Sequence, residues 1–380
     1  MRRLKTVALL LALLLLFTAC HTAEAPEETT AAPETTAPGT EETTAEESTA
    51  KESTEPPKPE PMSVVDVSKQ AYGYEEMVED LTILEAAYPE LLSVRTIGDT
   101  LDGRRIYCAV LGDESCEKQI VIHAGVHGRE YMTSLLVMRQ LEYYVTFFES
   151  ATYKDRTVSS LLGEFCFYVV PMANPDGAMI SQRGLNGIQS EIIRNTVEAI
   201  YEADAFYGYA TTSAGEVMDI WTYLRYWKAN ARGVDLNRNY DALWEEFDGV
   251  PRPCYRNYKG ESPASEPETQ AMIALVESLS NPVSVISMHA QGSILYWNCG
   301  QDDPAPARDL AQAISDLTGY RSIEEPSNDA SFNDWVILEK DIPSVTVEIG
   351  AVSCPLPISE LPRIYAECRD LWAMLAYLYR

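Results

Sequence analysis

The segment QIVIHAGVHGREYMTSLL contains two side chains whose types and spacing suit a metal ion. His127 and Glu130 are three residues apart and follow an apolar run and a glycine-containing turn. An imidazole and a carboxylate at this spacing can bind one side of a Zn²⁺ ion, which leaves room for a third ligand from elsewhere. The pair alone also arises by chance, so its meaning depends on the rest of the chain.

A third ligand is available at the end of another apolar run. Of the four histidines, His21 lies in a low-complexity tail, and His289 directly follows the predicted strand 283–288. Open α/β sheets place their sites at the carboxyl ends of strands. Two neutral imidazoles and one carboxylate leave the fourth tetrahedral position for water, which is the catalytic pattern. His123 is a competing ligand, but it has no acid three residues on, so we interpret it as a neighbour.

A catalytic zinc site also needs a base, and Glu348 is the candidate. It ends the apolar run SVTVEIG, where an unpaired carboxylate is costly to bury. Partial desolvation would raise the pKa of Glu348 toward the range of a working general base. The alternative interpretation is an ion-paired glutamate of the core.

Periodic patterns predict the elements that position these side chains. Ser265 and Glu268 predict a capping box around Pro267 at the start of a helix, and residues 178–222 show no clear pattern. Strands that alternate with helices indicate an α/β fold with a mixed, largely parallel central β-sheet sandwiched by helices. The other predicted elements are helices 74–88 and 130–148, strands 92–97, 105–111, 119–123, 165–172, 283–288 and 344–349, and a turn at 174–177.

The N-terminus, residues 1–20, has the features of an export signal. A basic start precedes the apolar run Val7 to Phe17 and the small residues before Cys20. The run is too short for a permanent transmembrane helix. Cys20 resembles the lipidated cysteine of a bacterial lipobox, which predicts an extracytoplasmic protein anchored to the cell membrane by lipid. Because Phe17 is unusual at its position, cleavage without lipidation is the alternative.

Composition separates a tail from a domain. Residues 21–62 contain ten Thr, eleven Glu and seven Pro, which predicts a disordered tether that cannot bury enough apolar surface to fold. Residues 63–380 suffice for one large domain. Most of the formal charge of −29 falls on this domain, which argues against nucleic acid or anionic lipid as a partner. Seven cysteines lie in it without a C-x-x-C pair, and their pairing cannot be deduced from the sequence.

Six ordered motifs give the domain a family resemblance. They cover nearly all of residues 63–380, and the chain resembles the zinc carboxypeptidases of the carboxypeptidase A type, also called funnelins. The resemblance implies the α/β fold of that family and one Zn²⁺ per chain. The motifs are HGRE at 127–130, NPDG at 174–177, GVDLNRN at 233–239, SEPET at 265–269, SMHAQG at 287–292 and VEIG at 347–350.

The resemblance implies a role for each matching residue. His127, Glu130 and His289 correspond to the zinc ligands, and Glu348 to the general base and acid. Asp235 corresponds to the carboxylate that orients the first histidine and fixes its tautomer.

On the substrate side, Asn237 and Arg238 correspond to the pair that holds a terminal carboxylate, which suits a guanidinium fork. Arg129 corresponds to a subsite residue. Asn333 falls near the specificity position of the family, where it is polar and uncharged.

Two departures from the family pattern bear on catalysis and substrate. The family has an arginine after the tryptophan upstream of GVDLNRN, whereas here Lys228 follows Trp227. Lysine keeps the charge that polarises the scissile carbonyl but loses the fork. The segment 326–335, PSNDASFNDW, corresponds to the mobile tyrosine loop of the family and contains no tyrosine.

These departures resemble a bacterial subgroup that cleaves γ-D-glutamyl–diamino acid bonds in peptidoglycan stem peptides. The resemblance rests on WKANARGVDLNRN, HAQGSILYW and SFNDW. It implies a monomeric zinc peptidase that acts on murein stem peptides. The alternatives are an ordinary carboxypeptidase and a catalytically inactive, peptide-binding lipoprotein on the same fold. A serine hydrolase is set aside because no G-x-S-x-G turn occurs.

Overall fold

The computed structural model describes residues 60–300, 304–326 and 329–380. The predicted signal segment, its Cys20 lipidation site and the tether up to residue 59 lie outside these residues. Within the described ranges, no helix combines the length and the apolar character needed to cross a membrane.

The described residues form eleven α-helices and ten strands. In chain order, the strands are β1 Leu92–Asp99, β2 Arg105–Leu111, β3 Lys118–His123, β4 Thr152–Tyr153, β5 Arg156–Thr157, β6 Phe165–Val170, β7 Pro282–Ala290, β8 Ile294–Tyr296, β9 Arg321–Ile323 and β10 Ser344–Ile349. The helices are α1 Tyr74–Ala87, α2 Met132–Thr146, α3 Val158–Leu162, α4 Pro175–Arg183, α5 Glu191–Tyr207, α6 Ile220–Arg225, α7 Pro267–Ser278, α8 Ala305–Thr318, α9 Phe332–Lys340, α10 Leu361–Cys368 and α11 Leu371–Leu378.

Eight strands make one central sheet in the order β1-β2-β6-β3-β7-β10-β8-β9. Its four middle strands, β6, β3, β7 and β10, run parallel to one another, and the antiparallel pairs lie toward the edges. Strands of a parallel sheet are buried on both faces and are therefore almost continuously apolar. The FCFYVV sequence of β6 is such a strand, buried throughout. The predicted mixed, largely parallel sheet is confirmed.

Side-chain alternation along the strands builds a core on each face of the sheet. On β6, Phe165 and Phe167 belong to one core, and Cys166 and Tyr168 belong to the other. The first core also contains residues of α1, α2, α8, α10 and α11, including Trp372. The second contains residues of α7 and α9. The helices therefore cover both faces, as the sequence predicts.

The residues without a clear pattern fold as helices around a small core of their own. Helices α5 and α6 bury Val197 and Tyr223 against Trp227 and Cys254. Trp227, a member of this third core, directly precedes Lys228 in the chain. Its apolar stripes alternate with exposed aromatic side chains such as Phe206, which hides the helical pattern from sequence inspection.

Two local predictions are wrong because the polar side chains form other hydrogen bonds than the sequence patterns suggest. The 174–177 run is the start of α4, with the Asn174 side chain accepting from the Gly177 amide at 2.9 Å. Helix α7 has no side-chain cap. The Ser265 hydroxyl instead donates to Glu266 at 2.8 Å, and Glu268 accepts from Asn230 at 3.2 Å.

A buried cation ties the β1–β2 turn to the helices beside the HGRE segment. The Arg104 Nη1 donates to Asp102 at 2.8 Å and to Asp176 at 2.9 Å, and Nη2 donates to the Gly187 carbonyl at 2.6 Å. Asp102 in turn accepts from the backbone amides of Gln189 and Ser190. Removal of Arg104 would leave two buried carboxylates without their cationic partner.

We therefore expect Arg104→Met to lower the free energy of unfolding by about 3–5 kcal/mol, because it leaves buried charges uncompensated. Urea denaturation followed by circular dichroism measures this loss. The neighbouring Arg105 is exposed, and Arg105→Met should cost less than about 0.5 kcal/mol. Equal losses in the two variants would contradict the assignment of Arg104 as a structural cation.

Candidate active site

The carboxyl ends of three parallel strands meet at one edge of the sheet. Strand β7 carries His289 and β10 carries Glu348, and these two residues are direct partners in the parallel register. Strand β3 ends at His123, and the chain then turns to reach His127. The sheet topology therefore brings together residues that are 221 positions apart in the sequence, from His127 to Glu348.

The turn after β3 presents His127 and Glu130 on the same side. Residues 128–130 form a single 3-10 turn, in which the Glu130 amide donates to the His127 carbonyl at 2.9 Å. A Cβ atom at Gly128 would collide with the backbone of Gly177, so only glycine allows this close approach. Helix α2 begins at Met132, two residues after the predicted start.

His127, Glu130 and His289 form a cluster whose ligand atoms all lie within 4.8 Å of one another. The Nδ1 atoms of the two histidines are 3.2 Å apart. The Glu130 carboxylate lies 2.9 Å from Nδ1 of His127 and 3.1 Å from Nδ1 of His289. Ligand atoms about 2.0–2.1 Å from a tetrahedral zinc are themselves roughly 3.3 Å apart. The residues therefore fit a zinc ion without rearrangement of the backbone.

Asp235 fixes the tautomer of His127. The Nε2 of His127 lies 3.1 Å from Asp235 Oδ1, so Nε2–H donates to the carboxylate and Nδ1 keeps a lone pair for the metal. The second carboxylate oxygen accepts from the Asn257 amide at 3.0 Å. Burial opposes ionisation of Asp235, yet its interactions with His127 and Lys228 hold its pKa well below the usual range.

Electrostatics favour the ionised form of Glu130 and the neutral form of His289. Burial alone would raise the pKa of Glu130, but His127 and His289 hold it well below the usual range. Burial lowers the pKa of His289. A charged carboxylate and neutral imidazoles are the protonation states in which these side chains bind metal.

His123 lies behind the cluster rather than in it. Its Nε2 is 2.6 Å from the Ser287 hydroxyl, and its ring packs edge-on against Phe332 at 4.6 Å between centroids. Burial lowers the pKa of His123 well below the usual range. These contacts match the neighbouring role inferred from the sequence.

A cavity of about 200 Å³ opens beside the cluster and collects most of the predicted substrate-binding and catalytic residues. Arg129 is the exception, because its side chain does not line the cavity and acts on Glu348 through its charge.

Four residues that line the cavity were not singled out from the sequence. Thr346 is two residues before Glu348 and so shares its face of the strand, which is a readable signal. The lining residues are His127, Lys228, Asn237, Arg238, Tyr296, Asp329, Ser331, Asn333, Thr346 and Glu348.

Glu348 faces this cavity from an otherwise buried strand. Burial, followed by the negative charge of Glu130, raises the pKa of Glu348 to about 8. The positive charges of Lys228 and Arg129 oppose this shift. Glu348 therefore lies beside the cluster with a pKa close to neutral pH.

The far wall of the cavity is held by Asn237. Its side-chain oxygen accepts from the Phe332 amide at 3.1 Å, which joins the DLNRN segment to the start of α9. The adjacent Arg238 donates Nη1 to the Asn237 carbonyl at 2.7 Å. Asn333 is 4% exposed, and its Oδ1 has no hydrogen-bond partner among the described residues. This oxygen is therefore a buried acceptor with unused hydrogen-bonding capacity beside the cavity.

Comparison with known proteins defines the class. Residues 77–367 match the zinc carboxypeptidase family model, so the chain belongs to this family and is a zinc metallopeptidase. It is 32% identical over 314 residues to gamma-D-glutamyl-L-diamino acid endopeptidase 1 of Lysinibacillus sphaericus, covering 82% of this chain and 73% of the relative. It is 26% identical over 238 residues to mast cell carboxypeptidase A of Homo sapiens, covering 59% and 46% respectively.

Solved structures show the same fold at low sequence identity. The crystal structure of thrombin activatable fibrinolysis inhibitor matches with a TM-score of 0.61 and 18% identity, covering 81% of this chain and 76% of that one. Carboxypeptidase A from Helicoverpa armigera matches with a TM-score of 0.57 and 18% identity, covering 80% and 72%. The predicted family, fold and zinc cofactor are confirmed.

We expect His289→Ala to lose zinc, because it removes one of three ligands at the cluster. Inductively coupled plasma mass spectrometry on the purified, folded variant measures the zinc content per chain. The matched control is His123→Ala, which removes a buried histidine outside the cluster and should retain the metal. Zinc loss in the control and retention in His289→Ala would reverse the assignment of the third ligand.

Proposed function

We propose that this protein is an exported zinc peptidase that hydrolyses the bond between γ-D-glutamate and a diamino acid in peptidoglycan stem peptides. The observation that carries the proposal is the convergence of a three-residue zinc cluster with Glu348 and Lys228 on one cavity. The activity for which the 32% identical relative is named supports the choice of bond. The export signal and the Cys20 anchor, both inferred from the sequence, agree with a substrate in the cell envelope.

When bound, Zn²⁺ acidifies water and polarises the scissile carbonyl. The chain supplies the proton transfer. Glu348 takes a proton from the attacking water and delivers it to the leaving amine, so that the hydroxyl joins the acyl carbon as the C–N bond breaks. Asp235 holds His127 in the tautomer that this arrangement requires.

Lys228 has a separate task in the transition state. Its ammonium lines the same cavity as Glu348, where it can stabilise negative charge on the carbonyl oxygen. On the leaving side, Asn237, Arg238 and Asn333 bind polar groups of the diamino acid. The unpartnered Oδ1 of Asn333 suits a donor such as a side-chain ammonium.

The substrate proposal is tested by offering the purified full chain two kinds of peptide. One kind contains a γ-D-Glu–diaminopimelate or γ-D-Glu–lysine bond, and the other is a blocked dipeptide with a free C-terminus. Mass spectrometry of the products identifies the bond that is cleaved. Turnover of the blocked dipeptides alone would favour an ordinary carboxypeptidase, and zinc binding without hydrolysis of either kind would favour an inactive binding protein.

The assigned base predicts that Glu348→Gln lowers kcat by about 10²–10⁴-fold, the usual contribution of a positioned base, and keeps its zinc. Steady-state kinetics and metal analysis measure the two quantities. The exposed Glu325 provides the control, because Glu325→Gln should leave both unchanged. Retained turnover in Glu348→Gln would exclude it as the base.

The assigned role of Lys228 predicts that Lys228→Met lowers kcat by about 10²–10³-fold, as for other donors to a developing oxyanion. The rise in KM should be smaller than this fall in kcat. The conservative Lys228→Arg should recover most of the rate because it keeps the charge. A change confined to KM would show that Lys228 binds substrate without preference for the transition state.

A further inference from the structure

A second cavity of about 450 Å³ adjoins the active-site cavity on the far side of Arg238. Arg238 and Asp329 line both cavities, so this pair lies where the two cavities adjoin. We call the second cavity the distal cleft. Its remaining lining residues are Tyr209, Phe247, Asp248, Gly249, Val250 and Asn257.

Arg238 is already engaged by the chain at the junction of the two cavities. Its guanidinium lies 3.6 Å from the Asp329 carboxylate and over the Phe247 ring, 5.1 Å from the centroid. A carboxylate at the end of a substrate would approach this guanidinium against the negative charge of Asp329. The ion pair with Asp329 therefore weakens the attraction of Arg238 for the terminal carboxylate of a peptide that ends one residue after the scissile bond.

The floor of the distal cleft is preformed and joined to the catalytic centre. The Val250 amide donates to the Asn257 carbonyl at 2.8 Å, and a Cβ at Gly249 would collide with that same carbonyl. The Asn257 amide donates to Asp235, the residue that orients His127. The main chain thus gives the distal cleft a fixed surface that is hydrogen-bonded to the residue beside His127.

We propose that the distal cleft binds the residues that follow the diamino acid in the substrate. In this arrangement Asp329 selects peptides that continue past the leaving residue, so the enzyme acts as an endopeptidase. The inference rests on the proposed function and adds to it the position of cleavage within the stem peptide. Asp329 is a specificity residue that acts by partly neutralising Arg238.

A series of three peptides with the same γ-D-Glu–L-Lys bond tests the proposal on the full-length zinc enzyme. The first peptide ends at lysine, and the others continue with D-Ala or with D-Ala–D-Ala. We expect kcat/KM to be about tenfold higher for the extended peptides, about 1.4 kcal/mol of transition-state binding. Equal or lower kcat/KM for the extended peptides would overturn the proposal and leave the proposed bond intact.

Two variants locate the effect. Asp248 is exposed at the cleft, and Asp248→Trp should fill it and lower kcat/KM for the extended peptides about tenfold more than for the short one. Asp241→Trp makes the same exchange at an exposed aspartate outside the cleft and should leave the preference unchanged. A uniform loss on all three peptides in Asp248→Trp would overturn the assigned position of the cleft.

Asp329→Asn tests the selection itself. It should raise kcat/KM for the peptide that ends at lysine, because Arg238 is then free to bind its carboxylate, and Asp329→Glu should retain the original preference. An unchanged preference in Asp329→Asn would overturn the role of Asp329. If the wild type cleaves neither these three peptides nor their diaminopimelate counterparts, the proposed function fails, and this inference fails with it.

Discussion

The Glu130 carboxylate is the constraint around which the active site is built. It is 2% exposed, and a buried carboxylate without partners would be costly. His127, His289 and the Ala290 amide surround it at 2.9–3.1 Å. The turn after β3 and the end of β7 must therefore meet at one point for the charge to be tolerated. The same meeting creates a set of lone pairs that suits zinc, so folding and metal binding depend on the same contacts.

Hydrogen bonds connect this cluster through Asp235 to the walls of the substrate cavity. Asp235 connects His127 to the Asn257 amide, and Asn237 connects the next residues to the start of α9. Each connection uses a buried polar group whose hydrogen-bonding capacity is satisfied by the main chain. The metal centre and the substrate walls thus belong to one hydrogen-bonded network, and displacement at one end would be felt at the other.

Local patterns in the sequence were sufficient for much of the fold. The apolar runs of β3, β6, β7 and β10 are long enough and uniform enough to be recognised as buried parallel strands. Their polar endings marked His289 and Glu348 as site residues. The capping of α7 was not predictable in the same way, because the hydroxyl of Ser265 accepts from Asn239 and the carboxylate of Glu268 accepts from Asn230, both from another segment. The signal segment, the Cys20 anchor and the monomeric state remain predictions.

By itself, the sequence determined the family, the zinc cofactor and the order of the motifs, because six short motifs in a fixed order can be recognised without knowing how they pack. Only the tertiary structure decided which side chains face one another across the substrate cavity. Tyr296 reaches it because β8 pairs with β10, and Asp329 reaches Arg238 from a loop 91 residues later in the chain. Such contacts follow from sheet order and loop path, which depend on the packing of the whole domain. The partial neutralisation of Arg238, and the cleft beyond it, are therefore properties of the fold rather than of any motif.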